Sequence, residues 1–219
     1  MARMPRLVVP GYPHHVTQRG GRRMKTFFSA DDYRFYLELL AEYKTEAAVS
    51  VWAYCLMPNH VHFVVVPDKE DSLSCLFRRV HREYSRYINF RERWKGHLWQ
   101  ERFHSFVMDE QYLMATVRYV ELNPVRAKLC EKAEDWPWSS ASSHLARRDD
   151  SVTSVKPMLE LVDDWQSYLA IEPTEEQLSA IRKHTSSGRP AGIEDFIDKL
   201  ELVSGRRLRK LKPGPKAAN

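Results

Sequence analysis

Apolar positions recur along the chain with two periods, and the alternation between them outlines the fold. His14 to Gln18 is a short run of strand formers ended by Gly20-Gly21. Ser29 then has the form of a helix cap, with Asp31 and Asp32 in the first turn, and Tyr33, Tyr36, Leu37, Leu40 and Tyr43 follow at helical spacing. Val49 to Met57 and His60 to Val66 are strand-like runs joined by the turn Pro58-Asn59, which predicts a hairpin. Leu73, Leu76, Phe77, Val80, Tyr84, Tyr87 and Ile88 form one stripe of a long helix whose other faces carry Arg78, Arg79, Arg82 and Arg86. After a break at Lys95-Gly96, Leu98 to Met108 reads as a strand. Asp109 to Glu121 reads as a helix stopped near Asn123-Pro124, because a residue before proline is pushed out of the α region. The order β-α-β-β-α-β-α predicts an α+β fold, an antiparallel sheet with helices packed on it.

Beyond this unit the pattern loosens. Trp136-Pro137-Trp138 reads as a rigid turn, with Ser139 capping a short helix. Residues 149–172 are acidic and irregular, which predicts a linker with some helix over 163–170. Thr174, with Gln177 three residues on, opens one helix, and Pro190 opens another running to about Val203. The expected division is a principal domain over 1–148, a linker over 149–172, and a helical C-terminal extension over 173–219 with a basic tail.

Composition narrows the function classes. No apolar run approaches the ~20 residues of a membrane span, and the basic N-terminal stretch lacks the apolar core of a signal peptide. Three scattered cysteines, none in a C-x-x-C pair, argue against a disulfide scaffold or zinc ribbon and for a cytoplasmic protein. The 34 Lys and Arg against 29 Asp and Glu give a net +5 that conceals strong segregation. Residues 1–30 carry +6, residues 78–102 carry +5 and residues 181–219 carry +6, whereas residues 131–180 carry −7. Separated basic blocks point to a polyanionic partner; solvated faces kept for solubility are the other reading.

The sharpest local feature is Met57-Pro58-Asn59-His60-Val61-His62-Phe63. On a strand, i and i+2 share a face, so His60 and His62 present two imidazoles side by side, a geometry that suits two adjacent positions around a metal ion. The same spacing also fits two histidines on a half-exposed sheet face that bind nothing. Tyr119 and Asn123 lie four apart, on one helical face. A tyrosine hydroxyl can attack phosphorus and an amide oxygen can ligate a metal; equally, the tyrosine can pack on the sheet and the asparagine end the helix. Histidines 14, 15, 81, 97, 104, 144 and 184 lack such spacing and read as structural or surface residues. Trp94, Trp99, Trp136 and Trp138 read as core and turn anchors, or as platforms for unpaired bases.

Four blocks in order, MPNHVHFVV (57–65), GHLWQERF (96–103), YVELNPVRAKL (119–129) and DWPWSS (135–140), together with HHVTQRGGRR (14–23), resemble the REP-associated tyrosine transposases, which are single-tyrosine HUH (His–hydrophobic–His) transposase-like proteins. The resemblance covers residues 5–146, and one departure is His14, where a tyrosine is expected. It implies a ferredoxin-like fold in a catalytic domain over 1–148. It also implies cleavage and rejoining of single-stranded or hairpin-forming palindromic DNA through a 5′-phosphotyrosine link. By position it places the nucleophile on Tyr119 and the metal ligands on His60, His62 and Asn123. The implied cofactor is Mg²⁺ or Mn²⁺, although imidazoles prefer the softer Mn²⁺ or Zn²⁺ to Mg²⁺. No Walker-type phosphate loop occurs, consistent with bond energy kept in the covalent link. The expected phosphate contacts are Arg19, Arg22 and Arg23 beside the glycine turn, Arg78, Arg79 and Arg82 on the long helix, and Arg206, Arg207, Arg209 and Lys210 in the tail. The competing reading is a non-catalytic DNA-binding regulator derived from such an enzyme; a sheet-based RNA-binding module and a metalloenzyme without DNA fit less well. Oligomeric state is not legible in the sequence.

Overall fold

The computed structural model describes residues 6–209. Four strands, β1 (His14–Arg19), β2 (Val49–Met57), β3 (His60–Pro67) and β4 (His104–Val107), form one antiparallel sheet in the order β2-β3-β1-β4. Helix α1 (Ala30–Glu46) connects β1 to β2, and α2 (Ser72–Glu92) connects β3 to β4. This is the expected ferredoxin-like α+β arrangement. Ser29 caps α1 in a reciprocal box with Asp32.

Strand β3 is apolar on both sides, so both faces of the sheet must be covered. On one face Val16, Phe63, Val65 and Leu56 pack against Tyr36 and Leu40 of α1 and Leu73, Phe77, Val80 and Tyr84 of α2. On the other, Ala53, Cys55, Val64 and Phe106 pack against Leu113, Val117 and Val120 of α3 (Glu110–Glu121). Asp109 caps α3 by accepting from the Tyr112 amide at 2.9 Å.

Several boundaries differ from the sequence reading. The strand expected over 98–108 is only four residues long, because 98–103 peels off to follow the end of β1: the Gly21 amide donates to the Leu98 carbonyl, and the Gln100 amide to that of Arg19. Helix α3 ends at Glu121 as expected, but a further helical turn follows across Pro124. The helical path breaks at Leu122 and resumes as α4 (Asn123–Arg126), where proline in the first turn gives up no needed N–H. Ser140, not Ser139, stands at the cap of α5 (Ala141–Leu145).

The largest correction concerns 149–172. Expected as a linker, it contains α6 (Lys156–Leu159) and α7 (Trp165–Ala170) and buries Val152, Val155, Met158, Trp165 and Tyr168. Its anchor is Glu121 at the end of α3, fully buried, which accepts from Ser140 Oγ at 2.5 Å, His144 Nδ1 at 2.7 Å and Trp165 Nε1 at 2.9 Å. The acidic residues sit on the outside while the apolar ones face in, so composition alone misrepresents the segment.

The extension supplies α8 (Glu175–Ser187), opened by the Thr174–Gln177 box as expected, and α9 (Glu194–Ser204), which begins four residues after Pro190. Leu208 is buried beside Leu7, Val9, Val107 and Leu200, so the chain folds back onto the body at least to there. No helix among the described residues is long and apolar enough to cross a membrane.

Candidate active site

The register of β1 on β3 assembles the site. Thr17 lies opposite His62 and Arg19 opposite His60, while His104 of β4 lies opposite Thr17. Directly paired residues share a face, so these side chains project together on the side crossed by α3. Val117 and Val120 bury into that face and leave Tyr119 half-buried above the histidines, its ring centroid 5.5 Å from that of His62. His60, His62, His104, Arg19 and Tyr119, with Arg182, Thr185 and Ser186 of α8, line a cavity of about 400 Å³.

The imidazoles are held by their inner nitrogens. His60 Nδ1 donates to Asn59 Oδ1 at 2.6 Å. His62 Nδ1 lies 3.0 Å from His15 Nε2, with the two rings stacked parallel, and His15 Nδ1 lies 3.5 Å from Thr185 Oγ1. His62 Nε2 is buried and has no hydrogen-bond partner among the described residues. Burial, helped by the Arg19 charge, lowers the His60 pKa to about 4. Burial, then His60, His15 and nearby arginines, carries that of His62 well below the usual histidine value. Both rings are therefore neutral near pH 7, the form that ligates metals. A buried imidazole lone pair without a partner beside a second imidazole fits a divalent ion. Among the described residues no three His, Cys, Asp or Glu side chains converge to hold one, so two imidazoles would need a ligand of another type.

Asn123 follows Tyr119 by one turn, at the start of α4. It is not among the side chains lining the cavity, and its Nδ2 is buried without a partner. Of the expected phosphate contacts only Arg19 lines this cavity. Arg22 and Arg23 are exposed on the turn Gly21–Arg23. Arg78 and Arg82, joined by Arg86 and Arg102, line a separate groove of about 570 Å³ beside α2, which shares Gln18 and Glu101 with the first cavity. Arg79 is turned away, ion-paired with Glu46 over the Tyr43 ring. In the tail, Arg206 donates to the Arg6 carbonyl at 3.1 Å, Arg207 is exposed, and Arg209 is paired with Asp198 and Glu201. Lys210 lies outside the described residues.

Three contributors escaped sequence reasoning. His15 is buried against His62, and its alternation with Thr17 and Arg19 on β1 was the available signal. Arg126 lays its guanidinium over the Tyr119 ring, 4.3 Å from the centroid, and donates to the Tyr119 carbonyl at 2.9 Å; its seven-residue spacing, two helical turns, was visible. The α8 residues had no local signature. His14, the departure from the family pattern, serves packing: it is buried, accepting from the Val9 amide at 3.1 Å and donating to the Tyr12 carbonyl at 2.7 Å.

With this geometry in place, residues 9–123 match the family model described as "Transposase IS200 like", a span that ends on Asn123 and includes both site histidines and Tyr119. The chain belongs to the IS200-like transposase family. This IS200-like transposase is 20% identical over 127 residues to the REP-associated tyrosine transposase of Escherichia coli (strain K12), covering 58% of this chain and 74% of that one. In fold it is similar to a solved REP-associated tyrosine transposase bound to a REP hairpin, with a TM-score of 0.58 and 20% identity, over 70% of this chain and 94% of the other.

Proposed function

We propose that the protein cleaves and rejoins single-stranded DNA at hairpin-forming palindromic repeats, through a covalent 5′-phosphotyrosine on Tyr119. The observation that carries the reading is the convergence of Tyr119 with His60 and His62, one ring with an unpartnered buried nitrogen, in a single cavity. Tyr119 Oη attacks the scissile phosphorus, the bond to the 3′ oxygen breaks, and a free 3′-hydroxyl leaves. Attack by a 3′-hydroxyl on the phosphotyrosine reverses the step and restores the tyrosine. A divalent ion, Mg²⁺ or Mn²⁺, held by His60 and His62, with Asn123 as third ligand once its side chain turns into the cavity, would offset the charge developing on the phosphate oxygens. Arg126 holds Tyr119 from behind, and Arg19 and Arg182 line the cavity as cations for flanking phosphates.

DNA beyond the scissile phosphate would follow the groove beside α2. Arg78, Arg82 and Arg86 recur there every four residues, about 6 Å apart along the helix. Past the end of α2, Trp94 stands exposed edge-on to Phe28, whereas Trp99 is buried. An exposed indole among arginines suits an unpaired base better than a duplex. The E. coli relative's name and the REP hairpin in the solved structure support a palindromic target.

The test is incubation with end-labelled hairpins carrying a single-stranded flank, in Mn²⁺. The wild type should form a DNA adduct that survives denaturation. Tyr119→Phe should reduce the adduct by on the order of 10⁴-fold or more, with DNA binding retained. Undiminished adduct in that variant would refute the nucleophile. Binding without any adduct in the wild type would favour the regulator reading.

A further inference from the structure

The hydrogen bonds behind His62 can be satisfied in one direction only, and that direction fixes which nitrogen of His62 faces the cavity unprotonated. Thr185 Oγ1 has a single proton, which it donates to the Ile181 carbonyl at 2.8 Å. Toward His15 it can therefore only accept, and the proton between them sits on His15 Nδ1. His15 is buried against the Phe106 and Tyr119 rings, where a charged imidazole would be costly, so the ring is neutral and its Nε2 bears a lone pair. That Nε2 lies 3.0 Å from His62 Nδ1, so His62 is the donor there. The neutral His62 ring then has its lone pair on Nε2, the buried nitrogen left without a partner at the cavity.

We infer that Thr185 and His15 form a relay that sets the tautomer and orientation of His62, so that α8 completes the site from outside the family-matched span. Thr185 and His15 are positioning residues: Thr185 reaches the cavity wall, but in the relay each acts on His62 through the next ring. The inference rests on His62 serving as a metal ligand only for its consequence; the tautomer itself is a property of the metal-free protein. The rule behind it is general: the hydrogen bond on one nitrogen of a ligating histidine decides the state of the other. Without an acceptor at Thr185, His15 has no reason to keep its proton on Nδ1. The opposite polarity, His15 Nε2–H to His62 Nδ1, then becomes available and protonates the cavity-facing nitrogen of His62.

The experiment is ¹⁵N-edited NMR of the imidazoles in metal-free full-length protein, with Mn²⁺ titration alongside. The wild type and Thr185→Ser should show His62 protonated on Nδ1. Thr185→Val, which keeps the shape and loses the acceptor, should shift His62 toward the Nε2-protonated form and weaken Mn²⁺ binding roughly tenfold. His15→Phe should weaken it at least as much, with a melting temperature measured to confirm folding. A wild-type His62 protonated on Nε2, or a Thr185→Val protein with unchanged tautomer, would overturn the relay. A wild type with the expected tautomer that binds no Mn²⁺ would leave the relay standing and remove the metal reading instead.

Discussion

Two histidines packed on opposite sides of the same sheet, His62 buried and His81 half-buried, separate chemistry from packing. His81, on the α1–α2 side, receives the Tyr36 hydroxyl at Nε2, 2.9 Å away, and lies against Trp99 and Phe77. His62, on the α3 side, is more deeply enclosed, yet its Nε2 meets no partner among the described residues and borders a cavity shared with Tyr119. Burial lowers the pKa of both. The tyrosines repeat the contrast: the Tyr84 hydroxyl donates to the Thr26 carbonyl at 2.6 Å, whereas Tyr119 lines the cavity with the Arg126 guanidinium over its ring. Burial and a displaced pKa are thus common to both faces. An unspent buried atom alone does not mark the functional face, since Trp99 Nε1 on the packing side is one too; what marks it is that the unpaired His62 nitrogen borders a cavity lined by Tyr119 and a second imidazole.

Exchanging the two histidines for alanine should split activity from stability. His62→Ala should lower adduct formation by on the order of 10²-fold or more, as removal of a metal-binding ring does. It should also cost about 1–3 kcal/mol of stability, because the buried His15 Nε2 loses its partner. His81→Ala should cost stability without that loss of adduct: it loosens an aromatic cluster and strands the Tyr36 hydroxyl, costing about 2–4 kcal/mol, with little change in adduct yield per folded molecule at saturating DNA, even though His81 also lines the groove beside α2. Denaturant melts and adduct gels on the same preparations decide it. An equal loss of adduct in the two variants would erase the distinction between the faces.

Much of this contrast was legible beforehand and some was not, for physical reasons. The H-x-H spacing on a strand sets a shared face by geometry alone, and the Tyr119-to-Asn123 spacing does so on a helix, so local periodicity made His60, His62 and Tyr119 candidates, while their roles came from the family resemblance. The ferredoxin-like order was carried by hairpin and helix signals, each contained within a few residues. His15, Arg126 and Thr185 depend on strand register and on docking of distant segments. Thr185 meets His15 across 170 residues, and no local pattern encodes that contact. Charge density misled at residues 149–172 and at Arg209, because it does not distinguish a solvated carboxylate or guanidinium from one pinned to a folded partner.

The packing face also predicts a pH dependence. Burial lowers the folded-state pKa of His81 to about 3, below the ordinary histidine value of 6.5, so between those limits the unfolded chain holds a proton that the folded chain does not. Stability from this group is complete above pH 6.5 and declines as pH falls toward 3. His14, lowered to about 4 by burial, acts in the same sense. Unfolding at pH 5 should therefore take up protons, and His81→Gln should take up about one fewer, measured as the change in the pH slope of unfolding free energy. An unaltered slope would show that His81 is protonated in the fold.

The smallest expected effect distinguishes two neighbouring arginines on α2. Arg78 is exposed and lines the groove that adjoins the active-site cavity, while Arg79 is held by Glu46 and lies over Tyr43. A guanidinium neutralised by a carboxylate releases no counterion on binding DNA, whereas a free one does. Arg78→Ala should therefore reduce the slope of log affinity against log salt by roughly 0.7–0.9, the contribution of one phosphate contact. Arg79→Ala should leave that slope unchanged, because the charge it removes is already spent on Glu46. Titrations of a flanked hairpin between low and moderate salt measure both variants with one reagent. Equal slopes for the two would mean that the groove beside α2 carries no DNA, and the basic block over 78–102 would then be only a solvated face.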